Sequence, residues 1–186
     1  MNALQFPVGL CLLALVVAAS WTDLRARRIP NALVLTAVAI ALPVQCWLHG
    51  WGEGFHAWWS GLLTGGGFLL PMYLLRAMGA GDVKLMAAVG ALTGAAVAFR
   101  IALLTFIVGG IWSLAAIVAG RKVKPALANL GSMLCACIGR VSAAHQEQKA
   151  GDGASVGSLP FAVAIALGTV GGMALQTAGV PFGMPL

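Results

Sequence analysis

Apolar residues run through this chain in long blocks broken by short polar interruptions, and the lengths of the blocks bound the fold. A bilayer core of about 30 Å takes roughly 17–25 residues of helix. Six segments approach that length: residues 4–22, 32–48, 57–75, 83–98, 101–119 and 159–178. The fourth and fifth are nearly continuous, because residues 83–119 are apolar apart from Lys84 and Arg100. As one helix at about 1.5 Å per residue they would exceed roughly 50 Å, too long for one crossing, so a turn is expected between Gly94 and Arg100. The one long polar stretch, 120–158, holds Leu127, Leu130, Met133, Leu134, Cys137, Ile138 and Val141 at helical spacing, followed by a Gly- and Ser-rich loop. That pattern predicts an amphipathic helix lying on the inner leaflet. The fold class expected is therefore all-α: a polytopic integral membrane protein of about six transmembrane helices plus one cytoplasmic amphipathic helix. Residues 1–186 are expected to form a single membrane-embedded domain, with the cytoplasmic loop and amphipathic helix at about 120–158. Glycines four apart (Gly61 and Gly65, Gly90 and Gly94, Gly168 and Gly172) mark candidate seams where helix backbones approach closely.

Composition agrees: 60% hydrophobic and 9% charged residues, with a mean hydropathy of +0.94, exclude a soluble globular domain. A net charge of +6 would suggest nucleic acid in a soluble chain, but here the cations sort by loop. With the N-terminus outside, Arg25, Arg27, Arg28, Arg76, Lys84, Arg121, Lys122, Lys124, Arg140 and Lys149 all fall inside, and only Arg100 falls outside. No nucleic-acid partner is expected. The partner expected of the basic amphipathic helix is anionic membrane lipid. The first apolar run has no basic residue ahead of it, so it reads as a retained anchor rather than a cleaved signal. Trp47, Trp51, Trp58 and Trp59 surround a 49–59 segment that reads as an outer interfacial turn with an aromatic belt. Cys11, Cys46, Cys135 and Cys137 give neither a disulfide framework nor a CxxC pair. His49, His56 and His145 are scattered and no HExxH occurs, so neither a metal site nor a cofactor is expected.

Against that background two acidic residues stand out. Asp23 and Asp82 each lie where an apolar span meets a basic loop, in a chain with only five Asp and Glu residues. An aspartate at a helix centre costs roughly 2.5–3.5 kcal/mol on insertion scales, and less toward the membrane edge. Asp23 is followed by Leu24-Arg25-Ala26-Arg27-Arg28-Ile29-Pro30-Asn31, in which Pro30 breaks the helix and Asn31 can cap the next. Asp82 follows Gly79-Ala80-Gly81, whose glycines permit close approach around the carboxylate. Each aspartate alone has a structural explanation: Asp82 as a helix N-cap, Asp23 as a partner of Arg25 or Arg27. Both at one membrane face, in so acid-poor a chain, point instead to a working pair of the kind an aspartyl protease needs.

Three segments resemble the prepilin peptidases, the type IV leader peptidases of the GxGD aspartyl protease group, most closely the short form of tight-adherence (Flp) pilus systems. They are Asp23 within DLRARRIPN, Gly79-Ala80-Gly81-Asp82-Val83-Lys84 as the GxGDxK element, and Leu159-Pro160-Phe161-Ala162-Val163-Ala164. The resemblance implies an endopeptidase that removes the short basic leader of a prepilin at the cytoplasmic face of the bacterial inner membrane. It assigns catalysis to Asp23 and Asp82, with Gly79, Gly81, Lys84 and Pro160 supporting the site. Long members carry an amino-terminal methyltransferase region with two CxxC pairs. Neither is present in this sequence, so the resemblance implies cleavage without methylation. Two alternatives remain open: a proton- or ion-coupled transporter using Asp23 and Asp82 as relay carboxylates, and a non-catalytic assembly subunit.

Overall fold

In a computed structural model of the chain, residues 8–26, 29–74, 78–119 and 161–177 are described. They form six α-helices, with no strand among the described residues: α1 (Val8–Ala26), α2 (Asn31–His49), α3 (Trp51–Leu74), α4 (Ala80–Thr93), α5 (Ala95–Ala119) and α6 (Phe161–Thr177). The chain divides into two compact units, residues 1–109 with 160–186, and residues 110–159. The packing described below belongs to the first. The amphipathic helix expected within 120–158 lies outside the described residues.

The all-α membrane fold expected from block lengths is the one observed. α1, α2 and residues 95–115 of α5 are each long and apolar enough to cross a bilayer, and Phe161–Leu175 of α6 is a shorter apolar helix. α4 is different: its 14 residues rise only about 21 Å. It is also the most enclosed helix, with Leu85, Met86, Ala88, Val89, Gly90, Ala91, Leu92 and Thr93 all buried. A helix that is apolar on every side belongs inside, surrounded by other helices. α1 by contrast buries a stripe of Val8, Leu12, Leu15, Val16 and Ala19, spaced for one face. Its other face turns Leu10, Val17, Trp21 and Leu24 outward, where a bilayer would meet them.

α3 and α4 pack most intimately, and small residues are the reason. A Cβ placed on Gly61 would collide with the Gly90 carbonyl, one on Gly90 with the Gly61 carbonyl, and one on Gly65 with the Met86 carbonyl. Gly168 of α6 likewise lies against Thr105 of α5. Gly94 lies at the same seam, its Cα 2.9 Å from a Cβ placed on Gly61, and it also ends α4 at φ +79, with its N–H on the Gly90 carbonyl at 2.8 Å, and α5 starts at the next residue. The turn expected between Gly94 and Arg100 therefore sits at the first of those positions.

The segment 49–59 corrects the expectation of a loop. A single residue, Gly50 at φ +83, separates α2 from α3, and helix resumes at Trp51. Trp47 and Trp51 flank this corner at 88% and 86% exposure, as belt residues would. Trp58 does not: its Nε1 donates to the Val38 carbonyl at 3.1 Å and fastens α3 to α2. Gln45 of α2, 2% exposed, donates its Nε2 to the carbonyls of Leu92 at 2.7 Å and Ala91 at 3.4 Å. These belong to the last turn of α4, where carbonyls lack helical partners, so the amide supplies what the backbone cannot.

Candidate active site

The opposite end of this bundle holds the residues singled out from the sequence. α1 does not stop ahead of Asp23 but runs on to Ala26, so Asp23 lies one turn inside the helix end. Asp82 lies in the first turn of α4, just ahead of the apolar stretch and outside the helices that qualify as spans. The helix N-cap is Gly79, at φ −77 and ψ 150, and not Asp82. The Asp82 amide donates to the Gly79 carbonyl at 3.2 Å, and its carboxylate accepts a hydrogen bond from the Gly79 backbone. That return bond is the second half of a capping box, made here with an aspartate.

The electrostatics of Asp82 set it apart. A backbone donor and a helix N-terminus both favour the ionised form, yet its pKa is raised from 3.8 to about 6. Burial is the largest cause, and the negative charge of Asp23 is the second; the Gly79 hydrogen bond opposes both. With burial and the Asp23 charge both opposing its ionisation, Asp82 retains its proton into the mildly acidic range.

The neighbouring motif residues interlock. Lys84 donates its Nζ to Asn31 Oδ1 at 3.1 Å. Asn31 is thus not the cap of α2: that position belongs to Pro30, whose carbonyl accepts from Leu33 N–H at 3.1 Å, and Asn31 is the first helical residue. Ile29 rests on Gly81, where an added Cβ would meet its side chain at 3.4–3.6 Å. At Gly79 an added Cβ would lie 3.6 Å from Asp82 Oδ2. Both are ordinary contacts at ordinary backbone angles, so a methyl alone would fit at either position. A side chain larger than alanine would crowd the Asp82 carboxylate from Gly79 and the Ile29 side chain from Gly81. Arg25 is stacked over the Trp21 ring, 4.6 Å from its centroid. Arg27, Arg28 and Pro160 lie outside the described residues.

The third motif approaches from α6. Ser20 Oγ donates to the Ala162 carbonyl at 3.4 Å, which sets the start of α6 against α1 one turn from Asp23. The Phe161 ring packs where a Cβ on Gly109 would meet it at 3.1 Å. Sequence alone did not single out Ile29 as a contact to Gly81, Asn31 as the acceptor for Lys84, or Ser20. The signal for the first two was the paired IPN and GxGDxK segments, whose members touch one another.

Fold and site together define a membrane-embedded helical protein with a carboxylate pair at one end of its bundle. The model of the type IV leader peptidase family matches residues 10–114, more than half of the 186-residue chain, and the chain belongs to that family. It is accordingly a membrane peptidase whose substrates are, in general, prepilins. The matched region takes in both aspartates and ends before the Leu159–Ala164 segment. No curated protein and no solved structure matches the chain. The family assignment gives no support to the transporter or scaffold alternatives.

Proposed function

We propose that this protein is an aspartic endopeptidase that removes the leader of type IV, Flp-like prepilins at the cytoplasmic face of the bacterial inner membrane. Asp23 and Asp82 act as its catalytic pair. The observation that carries this reading is the approach of the Asp23 charge to a buried Asp82, which holds a proton at a pH where an ordinary carboxyl has lost it. Asp82 then serves as proton donor and Asp23 as the base that draws a proton from water. The water oxygen bonds to the carbonyl carbon of the scissile peptide while Asp82 protonates the carbonyl oxygen, giving a gem-diol. In the second step Asp23 passes its proton to the amide nitrogen and the C–N bond breaks. Asp82 recovers a proton from the diol as the new carboxyl forms, so the pair ends as it began.

The substrate fits the position of the pair. A prepilin keeps a short basic leader inside and a hydrophobic helix in the membrane, so its cleavage point lies at the membrane edge. The ten cations expected on the inner side support a cytoplasmic position for the aspartates. Cleavage without methylation follows from the family's short form. The test is co-expression with a prepilin: Asp23→Asn and Asp82→Asn should each accumulate in the membrane and leave the prepilin unprocessed. Mature pilin in either strain would refute the two-aspartate mechanism.

A further inference from the structure

We propose that Asn31 is a positioning residue for the aspartate pair, acting through Lys84; this rests on the peptidase reading above. The starting point is how weakly α1 is held to the helix that carries Asp82. α3 and α4 are locked by backbone contact at Gly61, Gly65 and Gly90. α1 divides its packing between α6 on one side and α2 and α4 on the other, and touches α4 far more lightly than α3 does. Helix packing alone therefore leaves the spacing between Asp23 and Asp82 loosely fixed. Two tethers between the chain entering α2 and the start of α4 make up the difference: Ile29 on Gly81, and Asn31 on Lys84.

Helical geometry explains why the lysine can serve as a tether without quenching the acid. Residues two apart on a helix do not face each other. Asp82 feels the charge of Asp23 on α1, while Lys84 donates to Asn31 of α2. The Asn31 amide oxygen thus does two things at once: it anchors the α2 start to α4, and it keeps the ammonium engaged away from the carboxylates. The titratable groups at this end of the described helices are Asp23 and Arg25 on α1, Tyr73 near the end of α3, and Asp82 and Lys84 on α4. The nearby part of α2 and all of α6 bring none. Arg25 is occupied by the Trp21 ring. Because the Asn31–Lys84 bond is exposed, it adds little to stability, and its loss should be felt in geometry more than in folding.

The experiment uses the full-length protein in liposomes with a peptide spanning a prepilin leader–helix junction. It compares wild type, Asn31→Leu, Asn31→Asp, Lys84→Met, the Asn31→Leu/Lys84→Met double variant, and Asp23→Asn. Asn31→Leu should lower kcat about ten- to a hundredfold, as a misplacement on the order of 1 Å does, with KM and melting temperature kept. Asn31→Asp keeps an acceptor for Lys84 and should recover most of the rate. The double variant should be no slower than Lys84→Met alone, because both substitutions break one link. In Asn31→Leu the alkaline limb of kcat/KM should move to lower pH, since a separated pair, or a released ammonium nearby, holds its proton less firmly. A wild-type rate and profile in Asn31→Leu, additive losses in the double variant, or a loss that tracks melting and is not restored by Asn31→Asp would overturn the proposal. An inactive wild type, or an active Asp23→Asn, would instead sink the peptidase reading itself.

Discussion

Replacing Asp23 with asparagine should lower the proton affinity of Asp82 while leaving it a buried carboxyl. Asparagine keeps the shape of the side chain and removes its charge. Of the causes that raise Asp82, burial is the larger and survives the substitution, whereas the Asp23 charge does not. The midpoint should therefore fall from about 6 but remain above the ordinary 3.8. The consequence is easy to see at pH 5, where a carboxyl of pKa about 6 is roughly nine-tenths protonated and one at its ordinary value less than about a tenth. The protonated carboxyl has an infrared C=O stretch distinct from that of the amides. Following that band against pH in liposomes, and identifying it by its disappearance in Asp82→Asn, gives the midpoint directly. A midpoint in Asp23→Asn that stays at the wild-type value, or rises, would show that the two carboxylates do not face each other, and the proposed pair would fall with it.

Three further outcomes follow from the same geometry. In the wild-type enzyme kcat/KM should decline as pH rises through about 6, because ionising Asp82 removes the donor that protonates the scissile carbonyl; a rate still rising well above that pH would argue against this role. Gly61→Ala should destabilise the protein by about 1–3 kcal/mol or more in detergent unfolding, since its methyl meets the Gly90 backbone. Gly67→Ala, with open space at the same helix, should be neutral or gain up to about 1 kcal/mol, and equal effects at the two sites would contradict the packing. Gln45→Leu should cost about 1–3 kcal/mol by stranding the Leu92 carbonyl, measured by the same unfolding transition without loss of cleavage at the distant aspartates.

Most of the helical order was legible because block length and bilayer thickness leave few choices. Boundaries were harder. The 49–59 segment looked like a loop from its Trp, Gly and His content, yet Gly50 alone turns the chain and the rest is helix. α1 continues past Asp23 because Leu24, Arg25 and Ala26 are good helix formers, and the charges of Asp23 and Arg25 mark a membrane edge rather than a helix end. Asn31 is a capping residue by type, but Pro30 already occupies that position and the Asn31 amide receives Lys84 instead. The two aspartates could be picked from scarcity and placement. Their unequal environments could not, because burial of Asp82 depends on how α1, α2 and α4 come together in space.

The corners at Gly50 and Gly94 share one backbone shape, φ 83 with ψ 166 and φ 79 with ψ 168. Nothing lies within 4 Å of where a side chain would begin at either. Size is therefore not what selects glycine there; handedness is. An L-residue would sit in a region essentially reserved for glycine, at about 1–3 kcal/mol, however small it was. Gly50→Ala and Gly94→Ala should each carry that cost in an unfolding measurement although the added methyl meets nothing. The end of the bundle farthest from the aspartates is thus governed by chirality.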